Sequence, residues 1–251
     1  MSSIGMSSII FACVFASAML GMFLRTVLPE RHKTSESIGI VRVGMGLVGT
    51  LVAMVLGLLI ASAKGFYDRQ TTELTQLSAD VILLDRVLAH YGSETAQARN
   101  VLRVSVASIL DQLSPKAPSG TPLSNMLNNN AESFYEEIQQ LSPKDEQQRM
   151  LKSQAVSIAA ELGRIRWLMY EQRSSSVSMP LLAVLVFWLI ATFVSFGIFA
   201  PPNATVIASL FVSALSVAGA IFLLLEMYTP YAGLIHISSA PLRAALASLG
   251  T

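Results

Sequence analysis

The stretch from Ile38 to Tyr91 decides what this chain can fold into. Its first half, IGIVRVGMGLVGTLVAMVLGLLIASA, is 26 residues long, with Arg42 as its only charge. As a helix, that length crosses a hydrocarbon core of about 30 Å. Its second half, GFYDRQTTELTQLSADVILLDRVLAHY, runs on without a proline. There Leu74, Leu77, Val81, Leu84, Leu88 and Tyr91 recur at alternating spacings of three and four, the a/d seam of a helix packed in a bundle. One helix is therefore expected to leave the lipid and continue into water.

Composition agrees. Charged residues make up 13% of the chain, half the roughly 25% usual in soluble domains. A net charge of +1 without a basic cluster gives no reason to expect nucleic acid. Cys13, the single cysteine, excludes an intrachain disulfide framework and a Cys-based zinc site.

Three further apolar runs cover Ile4 to Leu24, Ser176 to Phe199 and Ala204 to Met227. No Lys or Arg precedes the first, so it reads as a span rather than a signal peptide. The turn Ala200-Pro201-Pro202-Asn203 separates the last two, with Asn203 placed to cap the helix that follows. Between the second and third spans, four helices are expected. The first is the continuation to Tyr91. The second opens at Ser93 as N-cap and carries Leu102, Val106, Ile109 and Leu113. After a turn-rich loop, Ser114 to Asn130, a short third shows Phe134, Ile138 and Leu141. The fourth starts at Ser142-Pro143 and repeats the seam in Leu151, Ala155, Ile158, Leu162, Ile165 and Met169.

The fold class is thus an all-α membrane protein with four transmembrane helices per subunit. An antiparallel helical bundle is inserted between the second and third spans. The expected divisions are residues 1–63 for the first two spans, 64–175 for the bundle, 176–227 for the last two spans and 228–251 for a tail. In the tail, Pro230 and Gly233 break the helix, and a short amphipathic helix from Ala240 to Leu249 lies on the membrane surface or the bundle. Near the span ends, Lys64, Arg69, Arg164, Arg166, Arg173 and Arg243 fall on the bundle side, against Arg25, Arg31, Lys33 and Arg42 on the other. This favours a cytoplasmic bundle under a bacterial inner membrane, although the flanks of the first span alone argue the reverse.

Two faces carry the candidate site. On the second span Gly46, Thr50, Ala53 and Gly57 line one side, continued by Ala61. Small residues let helices pack closely in lipid, or leave room for ions and water in a pore. On the fourth span Ser209, Ser213 and Ser216 share a face, suited to bonding a carbonyl one turn back or to lining a hydrophilic pathway. Arg42, Lys64 and Glu226 mark the ends of these spans. Glu226 is a functional candidate by its position, or else a carboxylate that reaches water or pairs with Lys64. No catalytic set accompanies them. His32, His90 and His236 are dispersed, no His-Glu-x-x-His, Gly-x-Ser-x-Gly or phosphate-cradling loop occurs, and neither an enzyme nor a bound metal or cofactor is expected.

Four stretches, LRTVLPERH, GMGLVGTLVAMVLGLLIASAKGFYD, FGIFAPPNATVIASLFVSALSVAGAIFLLLEM and PYAGLIHISSAPLRAAL, resemble a bacterial family of bestrophin-like membrane proteins of unknown function. Similar sequences often carry an acidic residue followed by arginine where this chain has Tyr228-Thr229. The resemblance implies the plan of bestrophins proper: oligomeric chloride channels with four spans per subunit and a large helical cytoplasmic region. No pore motif of theirs carries over residue by residue.

The expectation is therefore an oligomeric ion channel in the lipid bilayer, a homo-oligomer with cyclic symmetry that passes inorganic ions, anions favoured over cations. The second reading is a membrane sensor or scaffold whose bundle relays a signal to a partner.

Overall fold

The computed structural model describes residues 2–27, 35–112, 134–173, 178–231 and 233–249. The expected loop from Ser114 to Asn130, together with Leu113, Arg31 and Lys33, lies outside the described residues. Eight α-helices and no strand are described: α1 (Ser3–Val27), α2 (Ser35–Tyr91), α3 (Ala96–Gln112), α4 (residues 134–140), α5 (Glu146–Arg173), α6 (Met179–Phe199), α7 (Ala204–Met227) and α8 (Ala240–Ser248). Four of them, α1, α2, α6 and α7, are long and apolar enough to cross a membrane. The chain divides into two compact units. One comprises Met1–Tyr67 and Ser176–Thr229, the other Asp68–Ser175 and Pro230–Thr251.

In the first unit α1 and α6 pack most closely, and two glycines explain why. A Cβ at Gly197 would sit 2.1 Å from the Ala18 carbonyl oxygen and 2.7 Å from the Met22 nitrogen; one at Gly21 would sit 2.2 Å from the Val194 carbonyl oxygen. These neighbours are backbone atoms, so no side-chain rotation relieves the clash. With both glycines in place, Ile10, Val14, Ala18 and Met22 of α1 share one apolar core with Leu182, Leu185, Leu189 and Phe193 of α6. α7 adds Leu210, Ala214, Ile221 and Leu224, and α2 adds Val52, Leu59 and Ala63. Phe211 of α7 meets Phe11 and Phe15 of α1 edge-on, with ring centroids 5.4 and 5.5 Å apart.

Polar groups close the start of α7 and the end of α6. Asn203 Oδ1 accepts from the Val206 N–H at 2.9 Å, the cap expected from the sequence. The Arg25 guanidinium donates to the Ala200 carbonyl just past the end of α6.

In the second unit the α2 seam is the core: Leu74, Leu77, Val81, Leu84, Leu88 and Tyr91 are all buried. Gly92, at φ 136°, reverses the chain in a backbone region that side chains disfavour. A single 3₁₀ turn, Ser93–Thr95, then leads into α3. Ser93 is therefore not the cap of α3. Thr95 fills the corner instead, donating its hydroxyl to the Leu88 and Gly92 carbonyls at 2.6 and 2.8 Å. Because α3 folds back along α2, Arg99 reaches buried Asp85 through two hydrogen bonds of 2.7 and 2.9 Å.

The start of α5 also differs from expectation. Ser142 and Pro143 precede it, and Asp145 is the cap, its Oδ1 accepting from the Gln148 N–H at 2.7 Å. Gln148 then donates to the Tyr91 carbonyl at 3.0 Å, and Lys144 pairs with Glu94, which pins this end of α5 to the α2–α3 turn. The bond to Lys144 holds the Glu94 carboxyl below its ordinary range, and the bond to Glu94 raises the Lys144 ammonium. The pair therefore contributes above the unfolded carboxylate pKa and loses its effect as pH falls through the lowered folded value. At the alkaline end it fades as pH rises through the raised lysine value. Lys152 closes α4 by donating to the Gln139 and Leu141 carbonyls at 2.6 and 2.8 Å. α8 packs on α3, with Leu242, Ala245 and Leu249 buried.

This packing carries three stability predictions. Gly197→Ala forces α1 and α6 apart and should cost about 3 kcal/mol or more. Gly57→Ala, which meets nothing within 4 Å, should not lower the melting midpoint of the detergent-solubilised protein; equal midpoints for the two variants would refute the crossing. Arg99→Met leaves the Asp85 carboxylate buried without its fork and should cost about 2–4 kcal/mol. By contrast, Tyr91→Phe removes a buried hydroxyl that has no hydrogen-bond partner among the described residues. It should be neutral or stabilise by up to about 1 kcal/mol in the same assay.

Candidate functional site: the uncovered faces of α2 and α7

The apolar half of α2 turns one narrow face inward. Val52, Leu59, Ala63 and Phe66 are buried, and at 100° per residue they fall within about 60° of one another. Only 11% of its apolar window is buried, against 33%, 39% and 22% for α1, α6 and α7. α2 is therefore the least covered of the four long apolar helices.

The candidate residues lie on that uncovered side. Gly46, Thr50, Ala53 and Gly57 are all exposed, as are Ala61 and the flanking Arg42 and Lys64. A Cβ added at Gly46 or Gly57 would meet nothing within 4 Å. Among the described residues, these glycines pack against no other part of the chain. Close helix packing within the subunit falls instead to Gly21 and Gly197, which the sequence reading did not single out. The Thr50 hydroxyl bonds the Leu47 carbonyl at 2.7 Å, so its polarity is satisfied within its own helix.

A second uncovered stripe runs beside the first. Ile40, Val43, Leu47, Leu51, Met54 and Leu58 are large, apolar and 41–76% exposed. Sequence reasoning passed over it, although its three-and-four spacing was visible. Periodicity alone does not say which apolar positions the fold will cover.

On α7, Leu210, Ala214, Ala218, Ile221 and Leu224 face the core, which turns Ser209, Ser213 and Ser216 outward. Ser216 donates to the Val212 carbonyl at 2.8 Å, the bond one turn back expected of a hydroxyl in lipid. At the last turn Glu226 is only 3% exposed, so the carboxylate does not reach open water from this chain. The backbone around it is tied down by Thr229, whose N–H donates to the Glu226 carbonyl at 2.9 Å and whose hydroxyl donates to it at 3.1 Å. Lys64 lies over the Tyr67 ring at 5.8 Å from its centroid, and Tyr228 stacks on Phe66 at 5.3 Å.

Among the described residues no group of three or more His, Cys, Asp or Glu could hold a metal ion. His90 bonds the Arg86 carbonyl of its own helix at 2.7 Å, and His236 is exposed.

The sequence profile of the bestrophin-like domain matches residues 12–242, nearly the whole chain. The chain belongs to the bestrophin-like family. Its fold is shared with two crystal structures of a bacterial bestrophin homologue from Klebsiella pneumoniae, each carrying one point substitution. Their TM-scores are 0.66 and 0.67 at 16% and 15% identity, covering 94% and 95% of this chain and 97% of those chains. The crystal structure of a further variant, described as a membrane protein, matches at a TM-score of 0.65 and 14% identity over 95% of this chain and 97% of that one. No curated protein sequence matches. A bestrophin-like chain with four long apolar helices is a membrane protein.

Proposed function

We propose that this chain is one subunit of a homo-oligomeric ion channel, closed into a ring with cyclic symmetry in a bacterial inner membrane. In this reading α1, the apolar half of α2, α6 and α7 span the bilayer. The bundle, residues 64–175, stands between the second and third spans on the cytoplasmic side. The observation that carries the proposal is the uncovered face of α2. A helix this little buried leaves its small-residue stripe open to other copies of the chain, and a ring of copies would set that stripe around a common axis.

Along that face Arg42 and Lys64 are 22 positions apart, roughly 33 Å of helix, which matches the thickness of a hydrocarbon core. Fixed positive charges at the two ends of a pathway favour anions. Gly46, Thr50, Ala53 and Gly57, or Ser209, Ser213 and Ser216, would then line it, with Glu226 near one end. Membership of the bestrophin-like family supports the same reading.

Recording from purified protein in a planar bilayer under asymmetric salt should give discrete currents that reverse towards the anion potential. Arg42→Glu or Lys64→Glu should shift that reversal towards cations, and unchanged potentials in both variants would count against these placements. Silence across pH, calcium and voltage would turn the reading to a sensor or scaffold, to be sought through a partner that co-purifies with the bundle.

The lining can be tested apart from selectivity. In a Cys13→Ala background, Thr50→Cys or Ser213→Cys should react with a water-soluble thiol reagent about tenfold faster than Met54→Cys. The faster of the first two names the helix that lines the pathway, and equal slow reaction at all three would remove both.

A further inference from the structure

We propose that the segment following α7 is a strap that holds α2 in register, with Tyr231 and Gln70 as its clasp. Gln70 is 1% exposed and sits in the buried seam of α2 between Phe66 and Leu74, a polar amide among apolar residues. The Tyr231 hydroxyl donates to its Oε1 at 2.8 Å.

The strap is held on both sides of this clasp. Just before it, Tyr228 stacks on Phe66, one turn earlier on α2. Just after it, the Ile237 N–H donates to the Pro230 carbonyl at 2.8 Å and closes the loop. Buried Ile237 is then followed by α8, docked on α3 through Leu242 and Ala245. An apolar contact tolerates sliding, whereas a hydrogen bond does not. A one-residue shift of α2 moves Gln70 by about 1.5 Å and turns it by about 100°, which breaks the bond. Tyr231 is therefore a positioning residue for α2 where the helix passes from its apolar half into the bundle. The idea goes beyond the channel reading and does not depend on conduction.

Hydrogen exchange on the intact chain in lipid nanodiscs tests it. Tyr231→Phe keeps the ring and removes only the donor. It should raise exchange about tenfold in α2 peptides around Gln70 and leave α8 and the rest of the bundle as protected as before. Unchanged exchange around Gln70 would overturn the proposal. A uniform increase through the bundle would overturn it equally, since that reports general destabilisation rather than positioning. Leu242→Asp, which frees α8, should loosen the same α2 peptides; a freed α8 with α2 still protected would also refute the strap. Should the protein prove silent in recordings, the channel reading falls and the exchange result still decides this one.

Discussion

A peptide group in hydrocarbon has no water to bond, so each segment that crosses it must satisfy its own backbone as a helix. Helices in lipid gain little by hiding apolar faces from one another, because the lipid is equally apolar; what draws them together is contact. Gly21 against Gly197 is where this chain answers that constraint. With no side chain on either surface, the backbones of α1 and α6 approach closely enough for the flanking residues to interdigitate. α7 and one face of α2 complete the same core.

The polar groups follow a complementary logic. At four helix ends a side chain takes up released backbone atoms: Asn203 at the start of α7, Arg25 beyond α6, Asp145 before α5 and Lys152 after α4. Inside the second unit the buried charge of Asp85 is matched by the fork of Arg99 rather than left alone. α2 takes part in both units as one helix of 57 residues.

Much of this was legible from residues alone. The bounds of α7 match the apolar run from Ala204 to Met227, and all six seam positions of α2 are buried. Both are periodic or local signals. The caps divide instructively. Asn203 was found because proline fixed the turn before it. Ser93 and Ser142 were plausible by type, yet Thr95 and Asp145 hold those corners, because the turn geometry at Gly92 and the reach of Gln148 chose between neighbouring polar residues. Which glycines pack within the chain was hidden for a related reason. Gly46 and Gly57 form the more regular stripe, but whether a glycine meets another helix depends on how helices far apart in sequence cross.

The sequence by itself determined that the chain is helical, which stretches suit lipid, and that α2 runs on unbroken from an apolar half into a half with a packed seam. Length, hydropathy and spacing are properties of a segment and need no partner. Only the tertiary structure decided which face of each helix is covered: Gly21 and Gly197 meeting, the α2 stripe from Gly46 to Gly57 left open, Glu226 buried, Tyr231 on Gln70. Each of those depends on how residues distant in the chain come together, and no local pattern carries the distance between them.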